Sequence, residues 1–272
     1  MKWMDEIKVV IFDLDGTLYQ DDTFLGRYIA HMLKDNFNEE EIAAAVHEAY
    51  DILEGNHPVH FGCYFDRIQH DVFLHENFIP TSCYSWEGMK RERHVEDDSS
   101  LLFIGDVWGI AHLYAAKFSI SQEKRIEAFE KVRYEMIEKP YAFQRHDRLF
   151  ESIKSLHAEK KIFMTNTAGE TGPAFVSYLN IGSLFNEYIF DAKKPVGMDR
   201  IVKRFVKKGY QPSEILSIGD NPFNDLLPVK RLGGRTCLIS PYKHYGQYEW
   251  DVAVQTVEEL SDVLMHMSAV KL

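Results

Sequence analysis

The sequence lacks most of what would tie a chain to a membrane, to nucleic acid or to a structural zinc site. Its three cysteines, Cys63, Cys83 and Cys237, lie far apart and form no CxxC pair. Such usage fits a reducing compartment and argues against zinc. Cations are in deficit, with 31 Lys and Arg against 42 Asp and Glu and a net charge of −11. That balance disfavours nucleic acid as a partner, although local positive charge could still bind a phosphate. The apolar stretch 101–118 is interrupted by Asp106, His112 and Lys117, so it reads as a core element and no membrane partner is expected. The first residues, Met1 to Glu6, contain acids and no apolar run; no signal peptide is expected there, and a cytoplasmic location is. No internal repeat or low-complexity segment is evident. What remains is an ordinary globular composition, 45% hydrophobic and 27% charged over 272 residues, enough for one large or two modest domains.

The segment Val9-Val10-Ile11-Phe12-Asp13-Leu14-Asp15-Gly16-Thr17-Leu18 is the most informative stretch. Its apolar run reads as a buried strand at 7–13. Two carboxylates follow at its C-terminal end, where open α/β sheets place their ligands. Buried acids are costly unless they hold a metal or do chemistry. A helical stretch then intervenes. Asp21 or Asp22 is suited to cap a first helix, and Asn38 with Glu41 forms a capping box for a second that stops at Gly55. Helical periodicity returns at 101–118 and 121–138, with a loop expected between Asn77 and Ser100. The run Lys90-Arg91-Glu92-Arg93 reads as a solvated face, the scattered histidines of 31–112 match no zinc spacing, and Trp86 and Trp108 read as core.

From about Arg145 helix and strand alternate. Strands are expected at Ile162–Met164, Tyr188–Phe190, Ile215–Ile218, Thr236–Ile239 and Val252–Val254. Repeated βα units imply a parallel sheet covered on both faces. The expected fold is therefore α/β, a doubly wound parallel sheet with an inserted helical domain. The core would be 1–20 and 142–272, the insertion 21–141. Right-handed crossovers bring four strand ends to one rim. The first carries Asp13 and Asp15, the second Thr165 and Asn166. Lys193-Lys194-Pro195 follows the third, and Gly219-Asp220 through Asp225 follows the fourth. Together they supply a nucleophile, a hydroxyl donor, a cation and a carboxylate metal site, the inventory of phosphoryl transfer.

These four strings, Asp13-Leu14-Asp15-Gly16-Thr17, Met164-Thr165-Asn166-Thr167, Lys194-Pro195 and Gly219-Asp220 with Asp225, resemble the haloacid dehalogenase-like (HAD) hydrolase superfamily. The resemblance covers residues 7–20 and about 145–264, and the insertion is similar in architecture to the C1 cap of subfamily I. It implies a Mg²⁺-dependent phosphatase acting on a small phosphorylated metabolite through an aspartyl-phosphate. Asp13 would be the nucleophile and Asp15 the general acid and base. Asp13, the Asp15 carbonyl and Asp220 would hold Mg²⁺, and Thr165, Asn166 and Lys194 would bind phosphate. Thr17 and Asp225 would support them, Asp225 by orienting Lys194. Lys193 competes for the cation role, but the family's Lys-Pro spacing favours Lys194. A second acid at Asp15 argues for phosphate over halide, since halide needs no proton on leaving. No lysine occurs between Asp35 and Met89, which removes the early-insertion candidate for Schiff-base chemistry. A sugar phosphomutase of the same fold is the close alternative, and a phospho-receiver module without turnover the alternative from another class. The choice of ester is expected to belong to the insertion, and the sequence leaves it unread.

Overall fold

The computed structural model describes residues 2–95, 98–246 and 248–269. In chain order the strands are β1 (Val9–Phe12), β2 (Tyr64–Asp66), β3 (Val72–Glu76), β4 (Ile79–Tyr84), β5 (Lys90–Arg91), β6 (Leu101–Phe103), β7 (Lys160–Met164), β8 (Glu187–Ile189), β9 (Ile215–Gly219), β10 (Arg235–Ile239) and β11 (Val252–Val254). The α-helices are α1 (Phe24–Leu33), α2 (Glu39–Glu54), α3 (Val107–Lys117), α4 (Gln122–Glu135), α5 (Asp147–Ser155), α6 (Thr171–Leu179), α7 (Val196–Lys207), α8 (Leu227–Arg231) and α9 (Val257–Ala269). The chain divides into two compact units, one of Met1–Gln20, Phe143–Pro241 and Glu249–Leu272, the other of Asp21–Ala142 and Tyr242–Tyr248. Among the described residues no helix is long and apolar enough to cross a membrane.

The first unit is built on a six-stranded sheet in the order β11-β10-β9-β1-β7-β8, and every pairing is parallel. All four residues of β1 are buried, as expected of a central strand covered on both faces. On one face Val9 and Ile11 join Ile162, Met164 and Ile215 against Met198, Ile201, Val202 and Phe205 of α7. Alternation turns Phe12 to the other face, where its ring meets Phe185 edge-on at 5.5 Å. Strand order reverses at β1: the chain runs outward through β7 and β8, then returns to β9 on the opposite side. Such a reversal is where doubly wound sheets open a crevice for ligands.

The second unit corrects the expectation of an all-helical insertion. Besides α1–α4 it holds a five-stranded antiparallel sheet, ordered β5-β4-β3-β2-β6. The segment read as a loop at 77–100 supplies β4 and β5, and Glu96 and Asp97 within it lie outside the described residues. The helix read over 101–118 begins as β6; Asp106 then caps α3, its carboxylate accepting from the Gly109 N–H at 2.6 Å. Short strands of two to six residues leave too few alternations for period alone to tell them from helix. Lys90–Arg93 is not merely a solvated face either. Arg93 reaches the buried carboxylates of Asp66 and Asp71 at 2.7 and 2.9 Å, and Arg91 reaches Asp71 at 3.1 Å. Tyr242–Tyr248, assigned from sequence to the core because it follows β10, packs with the insertion instead. The Tyr245 N–H donates to the Phe61 carbonyl at 2.6 Å, and the Tyr242 hydroxyl donates to Asp22.

The Asn38–Glu41 capping box and the left-handed Gly55 stop of α2 are present. The N-cap of α1 is Thr23, with Asp21 accepting from its N–H and hydroxyl. Trp108, half-buried, stacks on the buried ring of Phe24 at 4.0 Å, and among the described residues the histidines form no metal-holding group.

Candidate active site

The strand ladder runs one residue past β1 and β7, so the first residues of the rim loops are held by backbone. The Asp13 N–H donates to the Ile218 carbonyl at 3.0 Å, and the Thr165 N–H to the Ile189 carbonyl at 2.9 Å. Asp13 and Thr165 are both buried, at 6% and 1% exposure. After Asp13 the chain turns tightly, the Leu18 N–H reaching the Leu14 carbonyl at 2.9 Å. Gly16 sits there at φ +71°, and a Cβ built on it would lie 2.1 Å from Asp220 Oδ2. A glycine is therefore required twice over, by backbone conformation and by the approach of Asp220.

Lys194 is the cation of the site. Its side chain is buried, and its Nζ donates to Asp13 Oδ1 at 2.5 Å and to Asp225 Oδ1 at 2.6 Å. Lys193 is exposed and pairs with Asp191 at 2.7 Å, so the two lysines take separate parts. Burial lowers the affinity of the Lys194 amine for its proton, but the charges of Asp13 and Asp225 outweigh that and hold its pKa above the ordinary lysine value. Asp225 Oδ2 accepts from the Asn221 N–H at 3.1 Å, which leaves both of its oxygens engaged. Asn221 in turn caps the π-helical turn Pro222–Leu226 by accepting from the N–H groups of Phe223 and Asn224. Turns of this kind recur at functional sites.

The Asn166 side-chain amide holds the Lys194 backbone, accepting from its N–H at 2.7 Å and donating to its carbonyl at 3.3 Å. The Thr165 hydroxyl accepts from the Thr167 N–H at 3.1 Å. Asp15 carries two hydroxyl partners that sequence reasoning missed: Tyr19, which donates to Oδ1, and Thr167, which donates to Oδ2 at 3.3 Å. Thr167 belongs to the quoted Thr165-Asn166-Thr167 string, so its signal was there. Tyr19 carried none beyond its place two residues after Thr17. Its ring is held by stacking on Phe143 at 3.9 Å. The Thr17 hydroxyl is buried without a hydrogen-bond partner among the described residues.

Asp13, Asp220 and Asp225 each offer a carboxylate oxygen within 4.8 Å of the others; Asp15, by its side chain, is not of this group. Burial first, and then the charges of Asp225 and Asp15, raise the Asp13 carboxyl from 3.8 to about 8 against the lowering pull of Lys194. One ammonium thus falls short of neutralising the acids around it. The donor set is all oxygen, which suits a hard divalent cation such as Mg²⁺. Asp13 and Asp220 could hold such an ion; Asp225 has both oxygens engaged by Lys194 and Asn221.

A family model described as haloacid dehalogenase-like hydrolase matches residues 7–233. Among solved structures, the chain is similar to a predicted phosphoglycolate phosphatase from Haemophilus somnus 129PT, at 15% identity over 95% of this chain and 98% of that one, with a TM-score of 0.55. It is also similar to YfnB of Bacillus subtilis, which is described as a HAD-hydrolase and was solved bound to magnesium. There the identity is 13%, the coverage 95% and 98%, and the TM-score 0.52. At such identities the likeness is one of fold. No protein of curated function matches the sequence.

Proposed function

The chain belongs to the haloacid dehalogenase-like hydrolases, and on that premise we propose that it is a Mg²⁺-dependent phosphatase that hydrolyses a small organic phosphate monoester. The observation that carries the reading is the Asp13–Lys194–Asp225 chain beside Asp220. A buried carboxylate suited to in-line attack and a fixed cation share one hydrogen-bonded chain, and the Asp220 carboxylate lies within 4.8 Å of those of Asp13 and Asp225. The magnesium of YfnB supports the choice of ion. Asp13 and Asp220 would hold the ion by their carboxylates, and Asp15 by its backbone carbonyl. When bound, the ion offsets the repulsion between ionised Asp13 and an anionic phosphate.

The remaining chemistry belongs to the side chains. An Asp13 oxygen attacks phosphorus in line, and the bond from phosphorus to the ester oxygen breaks. Asp15, held by Tyr19 and Thr167, gives its proton to the departing alkoxide, leaving an aspartyl-phosphate on Asp13. Asp15, now ionised, takes a proton from water, whose oxygen attacks phosphorus and frees inorganic phosphate and Asp13. Lys194 and Thr165 stabilise the phosphoryl oxygens in both steps. A carboxylate nucleophile needs no base to activate it near neutral pH once it is ionised.

The test is phosphate release from a panel of nucleotides, sugar phosphates and polyol phosphates, with Mg²⁺ and then with EDTA. Release that requires Mg²⁺ and vanishes in a folded Asp13→Asn variant is expected. Hydrolysis by that variant would remove Asp13 from the mechanism. Transfer of the phosphoryl group to a second sugar without release would mark a phosphomutase.

A further inference from the structure

The second unit contains a cavity of about 420 Å³ walled by its own residues, among them Arg67, His112, Ser119 and Arg125. None of its lining residues belongs to the unit that carries Asp13. One wall is a stripe of α3. That helix is buried over most of its length, but His112 and Ala116 lie four residues apart on one face and are not buried, and Ser119 follows just past the helix end. The cavity exists because the stripe is small: Ala115 and Ala116 leave a space that larger side chains would fill. Leu102 and Ile120 add apolar surface.

The charge of this cavity is unusual for the chain. The protein carries a net charge of −11, yet among the described residues the lining holds two guanidinium groups, an imidazole and no carboxylate. The Arg67 guanidinium donates only to the carbonyls of Ser99 and Ser100 among the described residues. Arg125 forms no ion pair among the described residues, and its Nε is buried without a hydrogen-bond partner. The neighbouring lysine shows what the surface does elsewhere: Lys124 pairs with Asp35 at 2.5 Å and Glu127 at 3.2 Å. Arg125 also lies in the first turn of α4, where the helix dipole disfavours a cation and favours an anion. Among the described residues neither guanidinium has a carboxylate partner.

We propose that this cavity binds a small organic anion, with a carboxylate or phosphate head between Arg67, His112 and Arg125 and a short apolar body against Leu102 and Ile120. The cavity volume is that of a metabolite rather than a peptide or a nucleic acid. The proposal is independent of the phosphatase reading, because it uses no residue of that site.

Isothermal titration of the full chain with phenylphosphonate and, separately, benzoate tests it. EDTA is present throughout, so that the acids around Asp13 repel anions from the other site. Saturable one-to-one binding of at least one probe is expected, and the tighter one identifies the head group. Arg125→Gln and Arg67→Gln should each weaken it about tenfold or more. Ala116→Leu, which fills the cavity and leaves the charges in place, should weaken it likewise. Lys203→Gln, an exposed cation paired with Asp199, should not. Circular dichroism and Tm show that each variant is folded. No saturable binding of either probe up to about 10 mM, or undiminished binding by Arg125→Gln and Ala116→Leu, overturns the proposal.

Discussion

Gly16→Ala tests the geometry of the acidic group more sharply than removal of any acid, because it leaves every charge in place. Two costs attach to the new methyl. The first is backbone: at φ +71° an L-residue pays about 1–2 kcal/mol. The second is steric: the Cβ would stand 2.1 Å from Asp220 Oδ2 and 2.6 Å from its Cγ. Ordinary contact requires more than 3 Å, so the carboxylate must retreat by about 1 Å, a forced shift of the kind that costs about 1–3 kcal/mol. Gly169 separates the two costs. Its φ is +67° and nothing lies within 4 Å of its Cβ position, so Gly169→Ala pays only the first. Urea unfolding in EDTA should therefore show both variants destabilised, Gly16→Ala by about 1 kcal/mol or more beyond Gly169→Ala. Mg²⁺ tolerates little departure from octahedral geometry. The Mg²⁺ concentration for half-maximal phosphate release should thus rise about 10–100-fold in Gly16→Ala and stay at the wild-type value in Gly169→Ala. Equal stability losses with an unchanged Mg²⁺ requirement in both would refute the reasoning, since Asp220 would then be free to move without consequence.

Three further outcomes follow from the same site. The folded-state pKa of Asp13 is raised above 3.8, to about 8, so the folded protein binds more protons than the unfolded chain between those values. Its stability in EDTA is then fully present below about pH 4 and is lost as pH rises through about 8. Asp13→Asn should flatten that fall and be the more stable protein at pH 8, and a wild-type profile as flat as the variant's would count against it. Asn166→Ala removes the two hydrogen bonds that hold the Lys194 backbone; it should cost about 1 kcal/mol in unfolding and lower kcat about tenfold or more, and an unchanged kcat would show that Lys194 needs no such clamp. Tyr19→Phe takes a donor from Asp15 and should lower kcat about tenfold with little change in KM, whereas a rise in KM alone would place Tyr19 in substrate binding instead.

How much of this was legible depends on how local the signal is. The parallel sheet was read from apolar runs bounded by turn residues, because a strand buried on both faces must be apolar along its whole length. Val9–Phe12, Ile162–Met164 and Ile215–Ile218 each satisfy that within one short window. The five-stranded sheet of the insertion was missed because its strands are short and several are part-exposed, such as Ile79–Tyr84. The β2–β6 pairing joins Tyr64 to Phe103, across a separation that no local window reaches.

The same division runs through the site. Sequence alone determined which residue types meet: repeated βα units with right-handed crossovers bring the C-terminal ends of β1, β7 and β9 to one rim, which carries Asp13, Thr165 and Asp220. Only tertiary structure decided what each one does there. Lys193 and Lys194 are adjacent in the chain, but one pairs with Asp191 at the surface and the other is buried between Asp13 and Asp225. Asn166 was read as a phosphate ligand from its position and is found holding Lys194 by its backbone. Tyr19 reaches Asp15 because its ring stacks on Phe143, a contact across 123 residues of intervening sequence. A motif specifies side chains at a strand end. Their division of labour is set by burial and by which partner arrives first within hydrogen-bond reach, and both are properties of packing rather than of order along the chain.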